Sequence, residues 1–323
     1  MKPIILPSRN TTEGVKFIQD YRYANGHEVP PYDISTTGAL NQIIGHAKFV
    51  NSSYGNVYYR GVNGLYDNVM PSYMRNKKNS RTLGLNKLLD DICNDDYLSR
   101  SLKLRNCITA KGSIDTKNKR YNKYCAEALL QHYAGKTRFI DVVDNHWVAL
   151  WMGLQNFIMR GEGHNSCECQ KRALWLGDYI EQYVLNPTTS VESYLYEYII
   201  LLAMPYGIQD NEIGIIETSE LVEVDLRKAI PSTFIRPHAQ HALVIRKRDI
   251  QPNDRKPASF FDMASQVVAI LRIRNDIASQ WLGEGNLVSS ENLFPSPSID
   301  HGYNSLLKRE DLFKYPFNII KYY

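Results

Sequence analysis

An α+β fold, with a small mixed or antiparallel sheet flanked by helices and a helical C-terminal extension, follows from three observations on the sequence. Helical periodicity dominates the first half, interrupted by one aromatic, β-branched strand at Asn56-Val57-Tyr58-Tyr59-Arg60-Gly61. Strand-like runs then dominate residues 194–246, separated by polar or Pro-containing turns. A long amphipathic pattern fills residues 259–282.

In chain order, the first helix is predicted over 37–49, capped by Thr36 or Thr37, with Leu40, Ile43, Ile44 and Ala47 on one face. The strand at 56–61 follows directly and ends at Gly61 and Gly64. A turn at Met70-Pro71-Ser72 leads to helices over 83–92 and 96–108, and a further helix runs from about Tyr121 to Gly135. Thr137 to Val143 is predicted to cross the core in extended form, after which Asp144 or Asn145 caps a helix over 147–159. Strands are expected at 194–204, 221–226 and 238–246. The pattern at 259–282 places Phe260, Ala264, Val267, Val268, Leu271, Ala278 and Trp281 at helical spacing, and a short helix near 303–307 closes the chain. The expected division is an N-terminal segment at 1–35, a principal domain at 36–250 and a helical extension at 251–323 packed on it.

Composition narrows the function classes. The chain has 323 residues and a net charge of +4, with its basic residues dispersed, so nucleic acid is not indicated as a partner. Five irregularly spaced cysteines and a start at Met1-Lys2-Pro3 without a long apolar region predict a reducing cytoplasm. The most apolar run, 194–204, contains Glu197 and ends at Pro205, which argues against a membrane span. His164, Cys167 and Cys169 share one loop but lack a second half to complete a zinc set, so no metal is expected.

The chemistry concentrates in Gln131-His132-Tyr133-Ala134-Gly135-Lys136-Thr137-Arg138-Phe139-Ile140-Asp141, where polar side chains open onto an apolar helical run. Arg60, near the end of an apolar strand, must find an anion or an acidic partner because its guanidinium keeps its charge. A structural salt bridge and a ligand phosphate satisfy it equally well. Thr137, Arg138 and Asp141 carry the same two readings, as ligand contacts or as partners of backbone groups at the junction. Arg236 and Gln240 precede the last strand and read either as ligand contacts or as a strand-end pair.

These pieces resemble the FRG domain family. Its Phe-Arg-Gly motif stands here as Tyr59-Arg60-Gly61, followed by Pro71-Ser72 with Arg75, the 131–141 motif, Ala149-Leu150, Arg236 with Gln240, and Leu293-Phe294-Pro295. The resemblance covers 39–307, with the FRG domain expected at 36–250. Ala134 and Lys136 replace the family's Gly and Pro, and Val142-Val143 replaces Trp-Thr.

A more distant similarity to ADP-ribosyltransferases implies NAD as the ligand. On it, Arg60 binds pyrophosphate, Thr137 supports the ribose or nicotinamide, and the late acidic position falls near Gln240. A glutamine cannot stabilise an oxocarbenium cation as a carboxylate does, so Asp141 is the acid expected to do so. Three readings follow. In the first, an NAD-using enzyme has His132 and Asp141 as catalytic groups, with Arg60, Gln131, Thr137, Arg138, Arg236 and Gln240 binding the ligand. In the second, the same pocket is a non-catalytic sensor of a small molecule. In the third, the domain binds another protein, and the family's company suggests a role in bacterial or phage conflict.

Overall fold

The computed structural model describes residues 2–75, 83–108, 112–134, 137–160, 166–171, 195–210, 213–248, 256–283, 288–308 and 321–322. Its strands are β1 (Val15–Phe17), β2 (Tyr21–Arg22), β3 (Glu28–Val29), β4 (Pro31–Ile34), β5 (Gly55–Val62), β6 (Ile140–Val143), β7 (Gln155–Arg160) and β8 (Ser166–Lys171) in the first half. The rest are β9 (Tyr196–Pro205), β10 (Ile208–Asp210), β11 (Ile215–Glu217), β12 (Leu221–Asp225), β13 (Ala242–Lys247), β14 (Val267–Arg274) and β15 (Lys321–Tyr322). The main sheet has ten strands in the order β1-β4-β14-β9-β5-β6-β13-β12-β11-β10. Every neighbour in it is antiparallel except β14 with β4, so the mixed α+β architecture holds while the sheet is larger than the small one expected.

The helices are α1 (Thr37–Val50), α2 (Leu83–Asn94), α3 (Asp96–Ser101), α4 (Thr116–Ala134), α5 (His146–Gly153), α6 (Leu226–Ala229), α7 (Arg236–Ala239), α8 (Asn275–Leu282), α9 (Ser290–Leu293) and α10 (His301–Leu307). Local chemistry accounts for their starts. The Thr36 hydroxyl accepts from the Ala39 amide at 3.1 Å to open α1, and Asn145 accepts from the Trp147 amide at 2.9 Å to open α5. The apolar stripe of α1 is buried as its spacing predicts.

One face of the sheet packs against α1 and α5 through Tyr59, Val143, Ile199, Leu201 and Leu271. Further along, α2 and α4 cover Val222, Val224 and Val244. The opposite face gathers Tyr58, Val142, Ile200, Leu202, Ile245 and Ile270 under Tyr23, Val29, Val69 and Met263. The sheet curls strongly towards this side. Two strands, β6 and β13, lie between β5 and β12, which would put them about 14 Å apart in a flat sheet. Yet the Tyr58 hydroxyl of β5 donates to Glu223 Oε1 of β12 at 2.6 Å.

Three expectations are corrected. Residues 259–282 do not form one long helix: two short 3-10 turns lead into β14, and only α8 is helical. The run Val267-Val268-Ala269-Ile270-Leu271-Arg272-Ile273 is apolar at nearly every position, which suits a strand buried on both faces as well as it suits a helix. The C-terminal part therefore supplies a sheet strand, between β4 and β9, rather than a purely helical extension. The helix predicted over 147–159 ends at Gly153, and the chain continues as β7. The helix predicted over 96–108 stops at Ser101. Gly135, as a helix end, and His164 lie outside the described residues, as do the side chains of Cys167 and Cys169.

Among the described residues, no helix is long and apolar enough to cross a membrane, and no group of three His, Cys, Asp or Glu side chains is placed to hold a metal ion.

Candidate functional site

Two elements meet at the site. The last turn of α4 carries Gln131 and His132, and β6 carries Asp141. Between them the buried Thr137 hydroxyl donates to Gln131 Oε1 at 2.7 Å and accepts from the Phe139 amide at 3.1 Å. With its carbonyl so occupied, Gln131 turns its amide nitrogen to Asp141 Oδ2 and donates at 2.6 Å. The relay from Thr137 through Gln131 fixes the Asp141 carboxylate while its side chain stays 41% exposed. A carboxylate oriented from within and open to solvent is equipped to meet a ligand.

His132 lies behind it. Its side chain is 3% exposed, and Nδ1 stands 3.8 Å from Asp141 Oδ1, beyond hydrogen-bond reach. Burial is the largest influence on the ring and lowers its pKa, outweighing the opposite pull of Asp141, so the imidazole is neutral at physiological pH. Nε2 is buried without a hydrogen-bond partner among the described residues.

Arg60 reaches the same place from β5. That strand pairs with β6 only at Tyr59 and Val143, which leaves the Asp141 carbonyl open, and Arg60 Nη1 donates to it at 2.7 Å. Burial lowers the Arg60 pKa, Asp141 offsets this and Arg75 adds to it, yet a guanidinium remains charged at any physiological pH. The neighbouring Gly61 has a packing reason: a Cβ there would collide with the Ala149 carbonyl of α5. Tyr59-Arg60-Gly61 thus combines a buried aromatic, a half-buried cation and the point where a helix backbone rests on the strand.

The structure brings Arg60, Gln131, His132, Thr137 and Asp141 together. It places the other three elsewhere. Arg138 is buried and forms a two-pronged pair with Glu127 at 2.9 and 2.7 Å, and Arg246 lies 3.4 Å from the same carboxylate. Arg236, fully buried, stacks against Tyr133 and Tyr303, with its guanidinium 4.4 and 4.7 Å from the ring centroids, and donates to the His132 carbonyl at 3.3 Å. Gln240 donates to the Leu293 carbonyl at 2.7 Å, and Phe294 lies 5.4 Å from the Arg236 guanidinium. Arg236 and Gln240 therefore dock the Leu293-Phe294-Pro295 segment against the back of the site.

Residues 55–162 match the family described as the FRG domain. The chain carries an FRG domain. The matched stretch contains every member of the Arg60 cluster, whereas Arg236, Gln240 and the Leu293 segment lie outside it. No curated protein and no solved structure matches the chain.

Two acids that the sequence reading does not single out organise the surroundings of the site, Glu127 within the matched stretch and Asp300 outside it. Glu127 is the counter-ion of Arg138, and its signal was an acid amid the buried run 124–131 of α4. Asp300 caps α10 and accepts from the Tyr133 hydroxyl at 2.6 Å and from the Arg236 amide at 3.2 Å. A lone Asp before a short helix gave no hint of those distant partners.

Proposed function

We propose that the FRG domain binds NAD or a related nucleotide over Arg60 and cleaves its nicotinamide-ribose bond, transferring the ADP-ribosyl group to water or another acceptor. The observation that carries this reading is the meeting of a half-buried guanidinium with an oriented, 41% exposed carboxylate: one Arg60 N–H goes to the Asp141 carbonyl, and Gln131 fixes Asp141 Oδ2.

In this reading Arg60 holds the phosphates, since its remaining donors suit phosphate oxygens. Asp141 faces the ribose carbon. As the C–N bond breaks, nicotinamide leaves with the electron pair and positive charge grows on the ribose, which the fixed carboxylate stabilises without reorganising. An acceptor hydroxyl then adds to the same carbon and loses its proton towards Asp141. His132 is too deeply buried to touch substrate, so its neutral ring would take up a proton only by way of Asp141. Gln131 and Thr137 are positioning residues for Asp141.

A non-catalytic nucleotide sensor is the competing reading. It is favoured by Gln240, an amide committed to the Leu293 carbonyl, which supplies no second carboxylate for the ribose. The two part in one experiment: the purified protein is incubated with NAD and released nicotinamide is measured by chromatography, alongside Asp141→Asn. Release lost in the variant supports the enzyme; binding of NAD without release supports the sensor; absence of binding contradicts the nucleotide reading altogether.

A further inference from the structure

Gln131 and His132 sit in the last turn of α4, and that turn is held from outside the helix. Carbonyl groups in a last turn have no amide further along the same helix to accept from. The His132 carbonyl instead accepts from Arg236 Nη1 at 3.3 Å, a guanidinium supplied by α7 from 104 positions further along the chain. A cation belongs at this end of a helix, where the backbone dipoles leave partial negative charge.

The C-terminal segment holds the cap in turn. The fully buried Asp300 carboxylate accepts at Oδ2 from the Tyr133 hydroxyl at 2.6 Å and from the Arg236 amide at 3.2 Å, and at Oδ1 from the Tyr303 amide at 2.8 Å. The Tyr303 ring stacks on Tyr133 with centroids 5.4 Å apart, and a Cβ on the adjacent Gly302 would collide with the Phe234 ring. Residues 132 and 133 are thus gripped from α7 and from α10 at once. Apolar contact alone would dock these helices, and burying a guanidinium and a carboxylate costs desolvation that apolar contact avoids. What the polar contacts add is one fixed geometry for the end of α4. That geometry matters one residue away. Gln131 must bring its amide to Asp141 Oδ2 at 2.6 Å, and a shift of about 1 Å breaks such a bond.

We propose that Arg236 is a positioning residue of the Arg60 site. It caps α4 from outside, Asp300 holds it there, and the C-terminal segment, beyond the matched stretch, is therefore needed to orient Gln131 and through it Asp141. The consequence for catalysis rests on the nucleotide reading above; the cap itself does not.

The test is amide hydrogen exchange of the full chain, with nicotinamide release from NAD measured on the same samples, for wild type, Arg236→Met, Arg236→Lys and Tyr133→Phe. Arg236→Met keeps volume between the Tyr133 and Tyr303 rings but removes the charge and the donor. In that variant exchange at the His132 and Tyr133 amides should rise about tenfold or more against amides in the middle of α4. The kcat for release should fall about tenfold while KM stays within about twofold, because Arg60 is untouched. Arg236→Lys should recover part of both, and Tyr133→Phe should give a smaller change in the same direction. If a thermal melt shows Arg236→Met unfolded, these two milder variants decide the same comparison. Exchange that rises equally along the whole of α4, or kcat and KM impaired alike, makes Arg236 scaffold and overturns the proposal. Wild-type exchange and turnover in Arg236→Met overturn it as well. A wild type that releases no nicotinamide overturns the enzyme reading, and the exchange at His132 and Tyr133, which needs no ligand, still upholds or overturns the cap.

Discussion

Arg60 and Arg138 come from the same family pattern and both lie near β6, yet their surroundings are opposite. Arg138 is 4% exposed and held by three hydrogen bonds to Glu127, one from its own backbone amide. Arg60 is half-buried and gives one hydrogen bond to a main-chain carbonyl, with the Asp141 carboxylate offsetting its burial. Arg138 is neutralised within the fold. Among the described residues, the only opposite charge that Arg60 faces is that of the part-exposed Asp141 carboxylate, to which it makes no side-chain hydrogen bond. An arginine becomes scaffold or binding group according to how fully the fold supplies its anion.

The largest effect expected from this contrast is at Arg138. Removing one partner of a buried pair strands the other charge, so Arg138→Ala should cost about 3–5 kcal/mol in denaturant unfolding. A cost below about 1 kcal/mol would show that Glu127 is sustained by Arg246 alone. The same pair also predicts acid sensitivity. Burial opposes the Glu127 charge, but Arg138 and then Arg246 outweigh it and hold its pKa below the ordinary carboxylate value. A depressed folded-state pKa contributes stability above the unfolded value, and that contribution is lost as pH falls through the folded one.

Glu223 extends the comparison to a buried acid that forms no ion pair among the described residues, with Lys228 and Arg227 only weakly opposing its burial. Burial raises its pKa to about 7, with the Tyr58 hydroxyl opposing and Asp225 reinforcing the rise. For a raised pKa the contribution is whole below the unfolded value and declines as pH climbs through about 7. The size of the shift corresponds to about 3 kcal/mol across that window. Glu223→Gln should remove most of this decline in stability measured between pH 4.5 and 7.5, and an unchanged pH profile would mean that another group carries it.

A smaller effect is expected from the relay that orients Asp141. Thr137→Val leaves the Phe139 amide without its acceptor and the Gln131 carbonyl without its donor, at a cost of about 1–3 kcal/mol. Nicotinamide release should fall further than NAD affinity, because the variant disturbs the carboxylate rather than the guanidinium. Equal falls would place Thr137 in binding instead.

The legibility of the molecule follows the range of its interactions. Helix α1 and strand β5 were readable because a cap and a clean periodicity settle them within a dozen residues. The compact 131–141 motif was readable for the same reason: Gln131, Thr137 and Asp141 satisfy one another inside eleven positions. Strand β14 is not legible in the sequence, because Val267 to Ile273 meets the helical and the extended template alike and only the flanking strands β4 and β9 decide. Arg236 and Gln240 find Asp300 and Leu293 more than fifty positions away, a distance over which local pattern carries no information.

The central claim is that Arg60 serves a ligand and Arg138 serves the fold, and one pair of readings on Arg60→Ala tests it most directly. Thermal unfolding and ADP-ribose titration are run on the same samples of variant and wild type. The account predicts a stability change within about 1 kcal/mol together with loss of ADP-ribose binding. A large drop in stability, of the size expected for Arg138→Ala, would make Arg60 a structural residue and contradict it.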